Sequence, residues 1–141
     1  MPFISVTRLR VKSIFYLVSF FRANESSVKE LKSSEGLIQA KELLDKNLTF
    51  WTLTMWEDEH YMKKFRISNA HRTAMQHLPK WCDEASYHHW FQDSFEFESW
   101  KIVSEKLFKE GRLSKLRNPS IAQVNNKFHP IKWTKTERVL K

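Results

Sequence analysis

The sequence predicts an α+β domain of ferredoxin-like type: a βαββαβ unit whose four-stranded antiparallel sheet is covered on one side by two helices, then an extra C-terminal helix and a basic tail. Three observations carry this. Alternating β-branched and aromatic runs stand at residues 3–11 and 48–56. Segments of helical apolar period lie between the candidate strands. Glycine occurs only at Gly36 and Gly111, which excludes the glycine-rich phosphate-cradling loops of Rossmann and P-loop architectures. A chain of 141 residues suffices for one core, and 41% apolar content with six Trp and eleven Phe can fill it, which excludes disorder throughout.

In the first strand, Phe3, Ser5, Thr7, Leu9 and Val11 share one face, and Ile4, Val6, Arg8 and Arg10 the other. Ser13 offers an N-cap to a helix over residues 14–31, with apolar side chains at 14, 17, 18, 21, 28 and 31. Residues 36–44 read as a second strand, against the helix propensity of Gln39 to Leu44. Asp45-Lys46-Asn47 marks a turn into the strongest strand, Leu48 to Trp56. Its faces are Leu48, Phe50, Thr52, Thr54, Trp56 and Thr49, Trp51, Leu53, Met55, neither of them charged.

Glu57-Asp58-Glu59 places acids at a helix N-terminus, followed on one side by Tyr61, Met62 and Phe65. Ser68 and Asn69 can cap further helix bearing Ala70, His71, Ala74, Met75 and Leu78, with Pro79 expected to follow its end. Residues 85–92 are strand-like. Ser99 caps a last helix with Trp100, Val103 and Leu107 on one side, ending at Gly111. Two helices cover one sheet face, so the second uncharged face of the 48–56 strand calls for another cover. Stacking on the same face of a second subunit predicts a homodimer.

The formal net charge of +8 is unevenly placed. Residues 1–100 carry 13 basic and 13 acidic side chains, whereas residues 101–141 carry 11 basic ones against Glu105, Glu110 and Glu137. The expected organisation is a ferredoxin-like domain over 1–111 and a basic C-terminal arm over 112–141. Phe128 and Trp133 among the basic residues suit nucleic acid or an anionic membrane, a contact open only to this arm. The charges are spread, however, which favours a solvated arm packing Leu113, Leu116, Ile121 and Val124, with Ile131 and Trp133 alternating as in an edge strand. Ile14 to Phe21, preceded by Arg8, Arg10 and Lys12, has the order of a signal peptide. It lacks a small-residue cleavage site and is far short of the roughly 20 residues of a membrane span, so a soluble cytoplasmic protein is expected. Cys82 is the sole cysteine and permits no internal disulfide.

The run Phe50-Trp51-Thr52-Leu53-Thr54-Met55-Trp56-Glu57, then Met62-Lys63-Lys64-Phe65, Asn69-Ala70-His71-Arg72-Thr73-Ala74-Met75 and Trp81-Cys82, resembles the dimeric α/β-barrel superfamily. The likeness is to spheroidene-monooxygenase-like and uncharacterised antibiotic-biosynthesis-monooxygenase-like proteins. Thr7-Arg8-Leu9-Arg10-Val11 fits their first strand, and the resemblance spans residues 3–92. It implies a dimeric barrel whose subunits each bind or oxygenate a small hydrophobic compound, isoprenoid or aromatic, with haem or without a cofactor.

Those proteins show a His matching His71. It implies an iron ligand if haem is present, or a proton shuttle. Arg72 then suits an anionic group such as a haem propionate, and Trp51, Trp56, Met75, Trp81 and His89 shape the pocket, with Trp90 a further candidate wall. Each residue also has an ordinary use: His71 donating to a backbone carbonyl, Arg72 solvated on a helix face, the tryptophans filling the core. His88 and His89 are adjacent in a strand, point to opposite faces and cannot share one ion. Asp83 and Glu84 raise the pKa of Cys82 and blunt it as a nucleophile. The alternative to an oxygenase is a non-enzymatic binding or assembly module whose basic arm contacts an anionic partner.

Overall fold

The computed structural model describes all 141 residues. Strands β1 (Phe3–Val11), β2 (Leu37–Asp45), β3 (Thr49–Trp56) and β4 (Cys82–Phe91) form in the expected order. Two short strands from the tail, β5 (Arg112–Leu113) and β6 (Arg138–Val139), complete an antiparallel sheet of order β5-β4-β1-β3-β2-β6. The sheet therefore has six strands, not four. The tail pairs with the outer edges of β4 and β2, whose backbone groups would otherwise lie open. At β2, pairing with β3 along most of its length overrides local helix propensity. The β2–β3 turn puts Asn47 and Leu48 at φ 60° and 56°, the sense that matches the twist of a hairpin.

Ser13 Oγ accepts from Phe15 N (3.1 Å), but it caps only a 3₁₀ turn, Ile14–Tyr16, before α1 (Leu17–Lys32). Helix α1 buries Val28 and Leu31 as the spacing predicts, together with Phe20, whereas Ile14 and Phe15 of the 3₁₀ turn and Val18 stand in solvent. Helix α2 (Glu59–Arg66) starts at Asp58, whose carboxylate accepts from Glu59 N. Helix α3 (Asn69–Trp81) is capped across space, by the Glu30 carboxylate of α1 accepting from Ala70 N (2.8 Å). Pro79 lies inside the last turn of α3 rather than beyond it. Near a helix end, the missing N–H costs one hydrogen bond and the chain is about to leave the helix anyway. Ser99 caps α4 (Trp100–Glu110) as expected, and Gly111 follows it. Gly36 sits at φ +80° with its Cα against the Tyr61 ring, where a Cβ would come within 2.2 Å of Cγ.

Helices α1–α3 cover the sheet face of Phe3, Trp56 and Ala85. On the opposite face Ile4, Val6, Leu43, Trp51, Leu53 and Met55 meet Trp100, Val103 and Leu107 of α4. Trp51, Leu53 and Met55 are fully buried there by their own chain. The open apolar face from which a homodimer was expected does not exist, because α4 and the tail occupy it. The tail is held by specific contacts. Gln123, in α5 (Ile121–Asn125), donates to Ala85 O (3.0 Å) and accepts from Ala85 N (3.1 Å), as a strand would. The buried Asp45 carboxylate accepts from Lys132 N and Trp133 N (2.8 Å), so Ile131 and Trp133 belong to an anchored coil, not an edge strand. Leu140 is buried among Phe3 and Trp56. Leu113, Ile121 and Val124 are exposed, contrary to expectation, and Leu116 alone of that set is half-buried. No helix is long and apolar enough to cross a membrane.

Candidate functional site

Between the sheet and helices α1–α3 lies a cavity of about 330 Å³. Its floor is set by strand register. Ser5 stands between His89 and Thr54, and Thr7 between Tyr87 and Thr52, so two polar rows cross β4, β1 and β3 side by side. The neighbouring rows are apolar: Ala85, Leu9 and Phe50 toward one end, Phe91, Phe3 and Trp56 toward the other. Thr54 Oγ1 accepts from Trp56 Nε1 (2.8 Å). The Ser5, Thr7, Thr52 and Tyr87 hydroxyls have no hydrogen-bond partner in the protein and face the cavity. The helical walls are mainly apolar, with Phe20, Val28 and Leu31 from α1, Met62 and Phe65 from α2, and Met75 and Leu78 from α3. The result is an apolar chamber with a hydroxyl strip across its floor.

His71 enters from α3, its ring 4.7 Å from that of Phe65 and its Nδ1 3.0 Å from Ser27 Oγ of α1. The serine fixes the ring plane. Because a hydroxyl can donate or accept, it supports either neutral tautomer. Burial lowers the pKa of His71; the Glu30 carboxylate opposes this shift and the Arg66 guanidinium adds to it. Burial thus favours the neutral imidazole, the form able to accept a proton. His89 on β4 is also shifted down, by burial first, with Glu59 opposing and His88, Arg66 and Arg112 contributing.

The structure brings His71, His89, Trp56, Met75 and Trp81 to one cavity. It excludes two of the expected residues. Trp51 lies on the opposite sheet face, edge-on to Trp100 (6.3 Å) and Phe108 (5.9 Å), because β3 alternates and Trp56 takes the cavity side. Arg72 is exposed on the outer side of α3 and does not line the cavity; Arg66 at the end of α2 does. Trp90 is on the far face with His88, which lies 3.3 Å from Glu110. Reasoning from sequence missed the hydroxyl floor and Ser27. The signal for the floor was present: Ser5 and Thr7, and Thr52 and Thr54, are inward positions of adjacent strands flanked by large apolar ones. Ser27 had no such signal, since its pairing with His71 spans 44 residues.

Haem does not fit this arrangement. The cavity is at the small end of ligand pockets, the size for one or two rings rather than a tetrapyrrole, and the Phe65 ring lies 4.7 Å from that of His71. Cys82 is buried, and burial with the charge of Asp83 pushes its thiol up to about 12, so it supplies no nucleophile.

No family model and no curated protein matches the sequence. Solved structures do match its fold. A conserved protein from Methanosarcina mazei aligns with TM-score 0.59 at 17% identity, over 66% of this chain and 94% of its own. SnoaB, a cofactor-independent oxygenase from Streptomyces nogalater, aligns with TM-score 0.55 at 12% identity, over 69% and 98%. A protein from Bacteroides thetaiotaomicron named for antibiotic biosynthesis monooxygenases gives 0.58 at 8%, over 70% and 95%. These neighbours are matched almost end to end and leave about a third of this chain without a counterpart. The chain thus has the ferredoxin-like fold of these neighbours, with about a third of its length unmatched.

Proposed function

We propose that the cavity binds a small hydrophobic compound, aromatic or isoprenoid, that carries at least one hydrogen-bonding group, and that binding serves its oxygenation without haem. The observation supporting this most directly is the strip of unpartnered hydroxyls on an otherwise apolar floor. An apolar body gains from burial against the helices, while a hydroxyl or carbonyl on it satisfies groups that the fold leaves unpaired. In the enzymatic reading, neutral His71, oriented by Ser27, accepts a proton from the bound compound, which prepares it for reaction with dioxygen. SnoaB, named as a cofactor-independent oxygenase, lends this reading support through fold likeness alone.

The test is fluorescence titration with a naphthol, two fused rings bearing one hydroxyl. Saturable binding at one molecule per chain is expected. Ala74→Trp and Met75→Trp should each abolish it by filling the cavity from α3, with far-ultraviolet circular dichroism unchanged in at least the rim variant Met75→Trp. Absent saturation in the unmodified protein, or equal affinity in folded variants, would refute the assignment.

A further inference from the structure

Part of the basic tail and the exposed residues Ile14, Phe15 and Val18, none of which the cavity uses, meet at one end of the molecule. Backbone hydrogen bonds place them. Lys12 N donates to Trp81 O (2.8 Å), Val11 N to Leu48 O (3.0 Å), and Arg117 N to Pro79 O (3.2 Å), while Asp45 holds Lys132 and Trp133. The end of β1, the β2–β3 turn, the start of β4 and two stretches of the tail therefore share one pole. Lys12, Lys46, Lys80, Lys115, Arg117 and Lys132 stand exposed there, and none has an acidic partner. The acids that these contacts bring to the pole are engaged inside: Asp83 with Arg10 (2.6 Å), Glu84 with Arg8 (2.7 Å), and Asp45 with the tail backbone.

From the same pole the 3₁₀ turn and first turn of α1 project Ile14, Phe15 and Val18, which are 77%, 85% and 63% exposed. At spacings of three and four they form one contiguous tip, with Lys12 just before it and Arg22 one turn beyond. Solvent-facing aliphatic and phenyl groups at the same pole as unpaired lysine and arginine are the two components of interfacial membrane binding.

We propose that this pole docks on a bilayer rich in anionic phospholipid, with Ile14, Phe15 and Val18 inserted at the headgroup boundary and the surrounding cations on the headgroups. Charge selects the occupant. A second copy would set two strongly basic poles against each other, and a nucleic-acid backbone offers nothing to Ile14 or Val18, which gain only from leaving water. Phe20 and Trp81, next to the tip in sequence and contact, also line the cavity, so its apolar chamber lies directly behind the docking pole. Docking does not depend on what the cavity binds.

The test is co-sedimentation of the full chain with vesicles of phosphatidylglycerol and phosphatidylcholine, against vesicles of phosphatidylcholine alone. Binding to the anionic vesicles is expected, falling steeply with added salt. Ile14→Ser/Phe15→Ser should weaken it by at least about tenfold, since both inserted groups are lost. Lys80→Glu/Arg117→Glu should weaken it similarly and flatten the salt dependence. Ile67→Ser, removing an exposed apolar side chain at the opposite end of α3, should leave it unchanged. All substituted side chains are exposed, so the variants fold. No binding to anionic vesicles, equal binding by Ile14→Ser/Phe15→Ser, binding to single-stranded DNA in place of vesicles, or a dimer that the same double variant dissolves would each overturn the proposal.

Discussion

Removing residues 99–141 tests the physical role of the C-terminal third. The deletion strips α4, α5 and both edge strands from the sheet. It bares Ile4, Val6, Leu43, Trp51, Leu53 and Met55, six side chains that the complete chain holds fully out of water. At about 2 kcal/mol for each large apolar side chain, re-exposure costs on the order of 12 kcal/mol. That is comparable to the roughly 5–15 kcal/mol that holds a domain of this size together. A truncated monomer is therefore not viable, and the shortened chain must either unfold or bury the face on a second copy. Sedimentation velocity and far-ultraviolet circular dichroism distinguish these outcomes. A truncated chain that stays monomeric and folded, with a cooperative melt at the temperature of the full chain, would refute the claim that the tail replaces a partner on this face.

Three further outcomes follow from individual contacts. The pKa of His71 lies lower in the folded than in the unfolded chain, so the unfolded state takes up the proton first and stability is lost as pH falls from about 6.5 toward the folded value. Urea midpoints of His71→Gln measured across that window should fall less with acid than those of the parent; parallel profiles would count against it. Asp45→Ala removes the carboxylate that holds Lys132 and Trp133. It should cost about 1.5–3 kcal/mol and speed tryptic cleavage at Lys132 and Lys135. Gly36→Ala forces a Cβ into the Tyr61 ring at a left-handed φ, and its thermal midpoint should drop well beyond that of an ordinary surface substitution.

Much of the site was legible in the alternation of the strands. Period two on β1 and β3 separates Ser5, Thr7, Thr52 and Thr54 from Val6, Arg8, Trp51 and Leu53, and likewise His89 from His88, whichever face is covered. Helical periodicity was less decisive. Spacing placed Val28 and Leu31 inward, but alone it could not tell that Phe20 joins them while Ile14 and Val18 stay in solvent. The likeness of Trp51 and Trp56 as aromatic strand residues concealed that they serve opposite layers, one against α4 and the other at the cavity.

By itself the sequence determined the order of the four long strands and the helices between them, and the residue content of each of their faces, because both follow from local periodicity and capping. Only the tertiary structure decided what covers each face. Whether Trp51 and Met55 meet a second subunit or this chain's own α4, and whether Lys115, Arg117 and Lys132 trail in solvent or join Lys12, Lys46 and Lys80 at one pole, depends on contacts between residues far apart in the chain. Asp45 reaching Trp133 and Gln123 standing in for a strand beside Ala85 leave no periodic trace, because each is one side chain meeting one stretch of backbone.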